Sequence, residues 1–176
     1  MTAVFTGTQL TTAPSSLAFL TQPVSSTAGI SLNEIQVAVR NGAGETITDF
    51  SGPVSLGLTG GTAGAALVGV TTVAAVNGVA TFTEVTVNRG GTNYRLTASY
   101  DQLPPAQSNT FNMAAAPASI ATLLRGGGQS APPNTQLADS IIVRVTDAFG
   151  FPVASVQMPF VVASGGGTVS AAERFT

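Results

Sequence analysis

The sequence predicts an all-β protein made of two β-sandwich units in tandem, the second of them incomplete. Composition is the first observation: among 176 residues only 8% are charged, while Gly, Thr, Ser, Val and Ala abound. β-Branched residues suit a half-buried pleated surface and glycine suits tight turns. Second, short runs of alternating apolar residues, bounded by turn residues, recur about every ten positions, the spacing of a sandwich. Third, the chain repeats itself. Ile35 to Ile47 is echoed by Ile141 to Val153 at a constant spacing of 106 residues (Ile35 to Ile141). In that register Val37 falls on Val143, Val39 on Val145, Gly44 on Gly150 and Pro53 on Pro159, and Gly60-Gly61-Thr62 falls on Gly166-Gly167-Thr168. The counterpart of Thr71 to Met113 would lie beyond Thr176, so the second unit is expected to carry the early strands alone.

In the first copy the runs place seven strands at 17–22, 34–40, 53–58, 70–76, 79–87, 93–100 and 108–113. In the second of these, period-2 alternation points Ile35, Val37 and Val39 into the core and Gln36, Ala38 and Arg40 outward. Between 70–76 and 79–87, Asn77-Gly78 is the strongest hairpin signal in the chain, because both central residues of that turn need positive φ. Phe82, Val85 and Val87 do not share one parity, which implies a change of face within 79–87. Tyr94, near the start of the penultimate strand, is expected to form a tyrosine corner, its hydroxyl bonded to backbone a few residues upstream. No amphipathic helical stretch of about ten residues appears.

The copies meet at Ala114-Ala115-Ala116-Pro117, giving a leading segment at 1–13, a complete sandwich at 14–113, a linker at 114–117 and a truncated sandwich at 118–176. Ala13-Pro14-Ser15-Ser16-Leu17 matches Ala116-Pro117-Ala118-Ser119-Ile120 at a spacing of 103 (Ala13 to Ala116), which puts three extra residues in the loop around Arg125 to Pro133. At the same spacing Thr6 to Leu10 corresponds to Asn109 to Met113, so the leading segment reads as the last strand of a preceding repeat or as a donor strand.

Composition also excludes chemistry. The chain has no Cys, no His and no Lys, which removes Ser-His, Cys-His and Ser-Lys nucleophiles. The carboxylates Glu34, Glu45, Asp49, Glu84, Asp101, Asp139, Asp147 and Glu173 are isolated in sequence, whereas glycoside hydrolysis needs two in one cleft. An enzyme is not expected, and no catalytic or cofactor-binding residue is assigned. Calcium is the one ion with some chemical support, through Asp147 and Asp139, but neither sits in an Asp-x-Asp run, and an Asx turn is the preferred reading of Asp147. Gly126 to Gly128 and Gly165 to Gly167 are followed by no Lys and open no helix, so they read as turns and not phosphate loops. With a net charge of −2 and arginines scattered at 40, 89, 95, 125, 144 and 174, nucleic acid is not an expected partner. The uncharged stretch between Asp49 and Glu84 is broken by Gly60, Gly61, Gly64, Gly69 and Asn77-Gly78 into pieces too short to cross a ~30 Å bilayer as a helix.

The second copy resembles the immunoglobulin-like repeats of bacterial surface and secreted proteins, of the invasin and intimin type. The resemblance rests on Ala118-Ser119-Ile120, on Ile142-Val143-Arg144-Val145-Thr146-Asp147-Ala148-Phe149-Gly150 with Pro152-Val153, and on Phe160-Val161-Val162 leading to Gly165-Gly166-Gly167-Thr168-Val169. The first copy resembles related repeats through Leu17 to Pro23, Ala28-Gly29, Asn77 to Phe82 and Tyr94 to Ala98. It implies tandem immunoglobulin-like Greek-key sandwiches on the bacterial surface or outside the cell, acting as spacer or adhesin stalk. Their partners would be neighbouring repeats, other copies of the chain or a cell-surface ligand. The alternatives are a subunit whose incomplete domain is completed by a strand from a neighbouring chain, with Thr2 to Thr12 as donor, and an accessory module of a secreted hydrolase.

Overall fold

The computed structural model describes residues 13–169 and the backbone of residues 173–175. The segment 1–12, and with it both the reading of Thr6 to Leu10 as the last strand of a preceding repeat and that of Thr2 to Thr12 as a donor strand, lies outside the described residues. All regular structure among the described residues is β. The chain divides into two compact units between Ala114 and Ala115.

The first unit contains β1 (Ser16–Thr21), β2 (Ser26–Thr27), β3 (Ile35–Arg40), β4 (Pro53–Gly60), β5 (Leu67–Val68), β6 (Thr72–Ala74), β7 (Val79–Phe82), β8 (Thr86–Val87), β9 (Gly91–Ser99), β10 (Ala106–Gln107) and β11 (Phe111–Ala114). One sheet runs β1-β3-β7 and the other β2-β11-β9-β4-β6, with β10 also on β9 and β5-β8 forming a side pair. Pairing is antiparallel throughout except that β2 runs parallel to β11. The inner faces of both sheets feed one hydrophobic core, in which Ile35, Val37 and Val39 of β3 pack with Val54 and Leu56 of β4, Phe82 of β7 and Tyr94 and Leu96 of β9. Each such side chain contributes about 1.5–3 kcal/mol by leaving water.

Each of the seven runs expected from the sequence contains a strand, but β2, β5 and β10 lie outside them and the run 108–113 is strand only from Phe111; three further differences have a physical reason. Strand 70–76 shortens to β6, and 79–87 breaks into β7 and β8. The break is tertiary in origin: β7 pairs with β3, whereas Val85 and Val87 turn their carbonyls to the amides of Leu32 (2.8 Å) and Gly29 (2.9 Å). The change of face between Phe82 and Val85 is this switch of partner, and both side chains end in the core. Third, Ala38 faces outward but is fully buried. It lies on the central strand of its sheet between its register partners Ala18 and Val79, and a single methyl is small enough for those neighbours to cover.

The path through the unit runs from one pole of the sandwich to the other. Ser16 pairs with Arg40 at the end of β3, beside the turn where Val39 donates to the Gly78 carbonyl and Gly78 donates to Phe50, just before β4 begins. At the opposite pole Met113 pairs with Gly91, the first residue of β9, and with Ser26 of β2.

The second unit contains β12 (Ile120–Arg125), β13 (Ile142–Thr146), β14 (Gln157–Pro159) and β15 (Glu173–Phe175), paired β12-β13 and β14-β15. β12-β13 reproduces β1-β3. Both pairs are antiparallel, and both carry an irregularity near the end of the first strand, at Phe19/Thr21 and Leu123/Arg125. The Ser15 amide bonds the Arg40 carbonyl as that of Ser119 bonds Thr146. This ladder aligns Ser15 with Ser119 and Thr21 with Arg125, a spacing of 104, one more than the Ala-Pro match gives. Two extra residues, not three, therefore separate the paired strands of the second copy. The loop that holds them is tied by Gln129, which donates to the carbonyls of Gly126 and Asp139 and accepts from the Asp139 amide at 2.7 Å.

Candidate functional site

Two places concentrate the polar chemistry that the sequence singled out, and a third brings together residues that it did not. The first surrounds Tyr94, which is completely buried. Its hydroxyl donates to the Arg89 carbonyl at 3.0 Å, five residues upstream, and accepts from the Thr62 amide at 3.3 Å. Thr62 Oγ1 in turn donates to the Gly90 carbonyl at 2.8 Å. This is the expected tyrosine corner, and Gly60-Gly61 makes room for it. Both glycines have positive φ, +72° and +69°, and a Cβ at Gly61 would overlap the Tyr94 ring. The ring also lies 5.8 Å from that of Phe111. These bonds tie the turn after β4 to the start of β9.

The second place occurs twice. Asn41 Oδ1 accepts from the amides of Ala43 and Glu45, both at 3.0 Å, and Asp147 Oδ1 accepts from Phe149 at 2.9 Å and Phe151 at 3.0 Å. The backbone follows suit: Asn41 and Asp147 each donate, at 2.9 Å, to the residue four positions on, and Gly44 and Gly150 close the turns. Both side chains are buried. Asp147, one of the two carboxylates considered for calcium, therefore spends one oxygen on an Asx turn. Asp139, the other, forms a surface ion pair with Arg125 at 2.6 Å. Among the described residues the structure gathers no group of three or more acidic side chains. Glu34 accepts from Gln36 and Glu45 from Asn41, and Asp49, Glu84 and Asp101 are exposed on separate turns. Glu173 lies in β15. The triplets Gly126 to Gly128 and Gly165 to Gly167 lie in turns and bends and supply positive φ at Gly126, Gly128 and Gly165.

Sequence reasoning missed the third place. Phe50 and Tyr100 meet edge to face at the pole where β1 begins, their centroids 4.8 Å apart, with Leu103 packed beside the core. Their loops, after β3 and after β9, are far apart in sequence and carry no shared motif. The one available signal was Gly52, where a Cβ would meet Tyr100 at 3.1 Å. A cavity of 450 Å³ opens at the edge where β6 meets β7, lined by Gln36, Val73, Ala74, Val76, Val79 and Thr81.

Comparison of the chain with protein-family models, with curated proteins and with solved structures returned no match. No helix among the described residues is long and apolar enough to cross a membrane.

Proposed function

We propose that this chain is a non-catalytic structural repeat of a bacterial extracellular or cell-surface protein, an immunoglobulin-like Greek-key module that spaces or presents other domains. The observation that carries this reading is the placement of the first unit's two ends at opposite poles. Domain termini often lie close together. A module that enters at one pole and leaves at the other instead adds its length to an array. The sheet orders β1-β3-β7 and β2-β11-β9-β4-β6 support an immunoglobulin-like sandwich, since β1-β3-β7 follows the A-B-E order of one sheet of that fold and β11-β9-β4 the G-F-C order of the other. The tyrosine corner and the repeated Asx turn support the same assignment.

The topology also suits a chain under tension. β2, near the beginning, runs parallel to β11, at the end, and the two pair through Met113↔Ser26 and Ala114↔Thr27. Pulling the ends apart loads these bonds together in shear instead of peeling them one at a time. Stretching the full chain from its ends by force spectroscopy is expected to give one abrupt rupture that releases the first unit. Gradual extension without a rupture peak would count against a spacer or stalk. A second reading, adhesion, is favoured by the Phe50-Tyr100 pair, set among loops that expose Asp49, Asp101 and Gln102 at one pole.

A further inference from the structure

We infer that the second unit is an acceptor for a tyrosine-bearing β-hairpin of the β9-β11 kind, seated on Gly166-Gly167-Thr168 and on the apolar side of β12-β13. The acceptor role goes beyond spacing and does not depend on it. Since β12-β13 copies β1-β3 in pairing, bulge and turn, corresponding side chains can be compared directly. Val145, in the place of Val39, stays buried at 5%, but at the 106-residue spacing Ile35 is 0% exposed and Ile141, just before β13, is 51% exposed, and Leu56 of β4 is 6% exposed and Val162, in no strand, is 44% exposed. Phe19 is half-buried against the core, and Leu123, which takes its place, is 52% exposed. The same apolar positions are kept, and the cover differs. In the first unit that cover includes Leu96 of β9 and Phe111 and Met113 of β11.

The glycine pair specifies the occupant further. In the first unit Gly60-Gly61-Thr62 is shaped by the start of β9: Gly61 leaves space for the Tyr94 ring, Gly60 for the Asn93 carbonyl beside it, and the Thr62 amide bonds the Tyr94 hydroxyl. The tripeptide recurs as Gly166-Gly167-Thr168, yet a Cβ at Gly166 or Gly167 would meet nothing within 4 Å. Positive φ, which the first unit shows at both Gly60 and Gly61, is found in the second at Gly165 instead. A free turn has no need of this tripeptide at this distance from Pro159, whereas a seat for a buried tyrosine does. Both tyrosines of the chain, Tyr94 and Tyr100, belong to the first unit. A second copy docking through its own exposed face would cover the apolar side chains but bring no tyrosine to Gly167. The occupant is therefore a hairpin with a tyrosine that follows a Gly-Gly pair, as Tyr94 follows Gly90-Gly91.

The probe is a labelled peptide of residues Asn88 to Ala114, titrated into the full chain and followed by fluorescence anisotropy. Saturable binding is expected, weakened at least ~10-fold by Tyr94→Ala in the peptide and to a similar degree by Gly167→Val in the chain, because a buried aromatic anchor dominates such contacts. Hydrogen exchange across Ile142–Thr146 should slow when the peptide binds. If the free peptide does not hold a hairpin, the same test is made by fusing a copy of Thr71 to Met113 after Thr176, and exchange across Ile142–Thr146 should then slow at least ~100-fold. Unchanged exchange in the fusion, or binding indifferent to both substitutions, overturns the inference. So does a dimer, seen by light scattering, that the peptide fails to displace, since the face would then belong to a second copy.

Discussion

Asn41 and Asp147 occupy one structural position with different charges, and the reason lies four residues further on. Asn41 Nδ2 donates to Glu45 Oε2 at 3.1 Å, whereas the residue matching Glu45 in the second unit is Phe151, which asks for no donor. An aspartate in the first unit would keep the turn but place two carboxylates in contact. Asn41→Asp is expected to cost about 1 kcal/mol, most of it recovered by adding Glu45→Gln, a coupling that a double-mutant cycle measures. Asn41→Ala removes the acceptor from two turn amides and should cost roughly 1–3 kcal/mol whatever stands at position 45. Urea midpoints followed by circular dichroism check both. If Asn41→Asp proves neutral by itself, Glu45 does not decide the choice of residue.

The Asn77-Gly78 turn shows what a local signal is worth at the scale of an element. Both residues have positive φ, +51° and +78°, and Val76 and Val79 exchange both backbone hydrogen bonds across them, at 2.9 and 3.1 Å. The turn joins different sheets, since β6 pairs with β4 and β7 with β3. A Cβ at Gly78 would also collide with the Ile47 carbonyl. Gly78→Ala should therefore destabilise the first unit by roughly 2–4 kcal/mol, combining an unfavourable φ with overpacking. Asn77→Gly should shift it by about 0.5–1 kcal/mol at most, because that φ suits glycine. Thermal unfolding of the two variants separates these outcomes, and equal effects would mean that the turn is not what holds the sheets in register. Such features were legible in the sequence because their cause is local: turn φ, period-2 alternation, a tyrosine near the start of the penultimate strand. The break between β7 and β8 was not, because it is imposed by Leu32 and Gly29 from another part of the chain. Nor was the Phe50-Tyr100 pair, whose partners meet only once both sheets have formed. The burial of Ala38 depends on which strand became central, and one strand's alternation does not contain that.

At the scale of the whole molecule, the two units share local structure and differ in what covers it. The hydrophobic cluster lies entirely between Leu17 and Met113, whereas the second unit's buried apolar side chains, among the described residues, are Ala116 and Val145. Cooperative stability follows buried apolar area, and segments with little of it open at small cost. Amides of β3 and β9 are expected to exchange only through global unfolding of the first unit, and those of β12 and β13 at least ~100-fold faster. The first unit should not draw on the second for its stability. Because Tyr94 and Tyr100 both lie in it, tyrosine fluorescence reports its unfolding alone, and ending the chain at Ala114 should leave that urea midpoint unchanged to within ~0.5 kcal/mol. A larger fall would show that the second unit stabilises the first. Slow exchange throughout β12-β13 in the isolated chain would show its apolar side already covered, and an acceptor would then have no free face to offer.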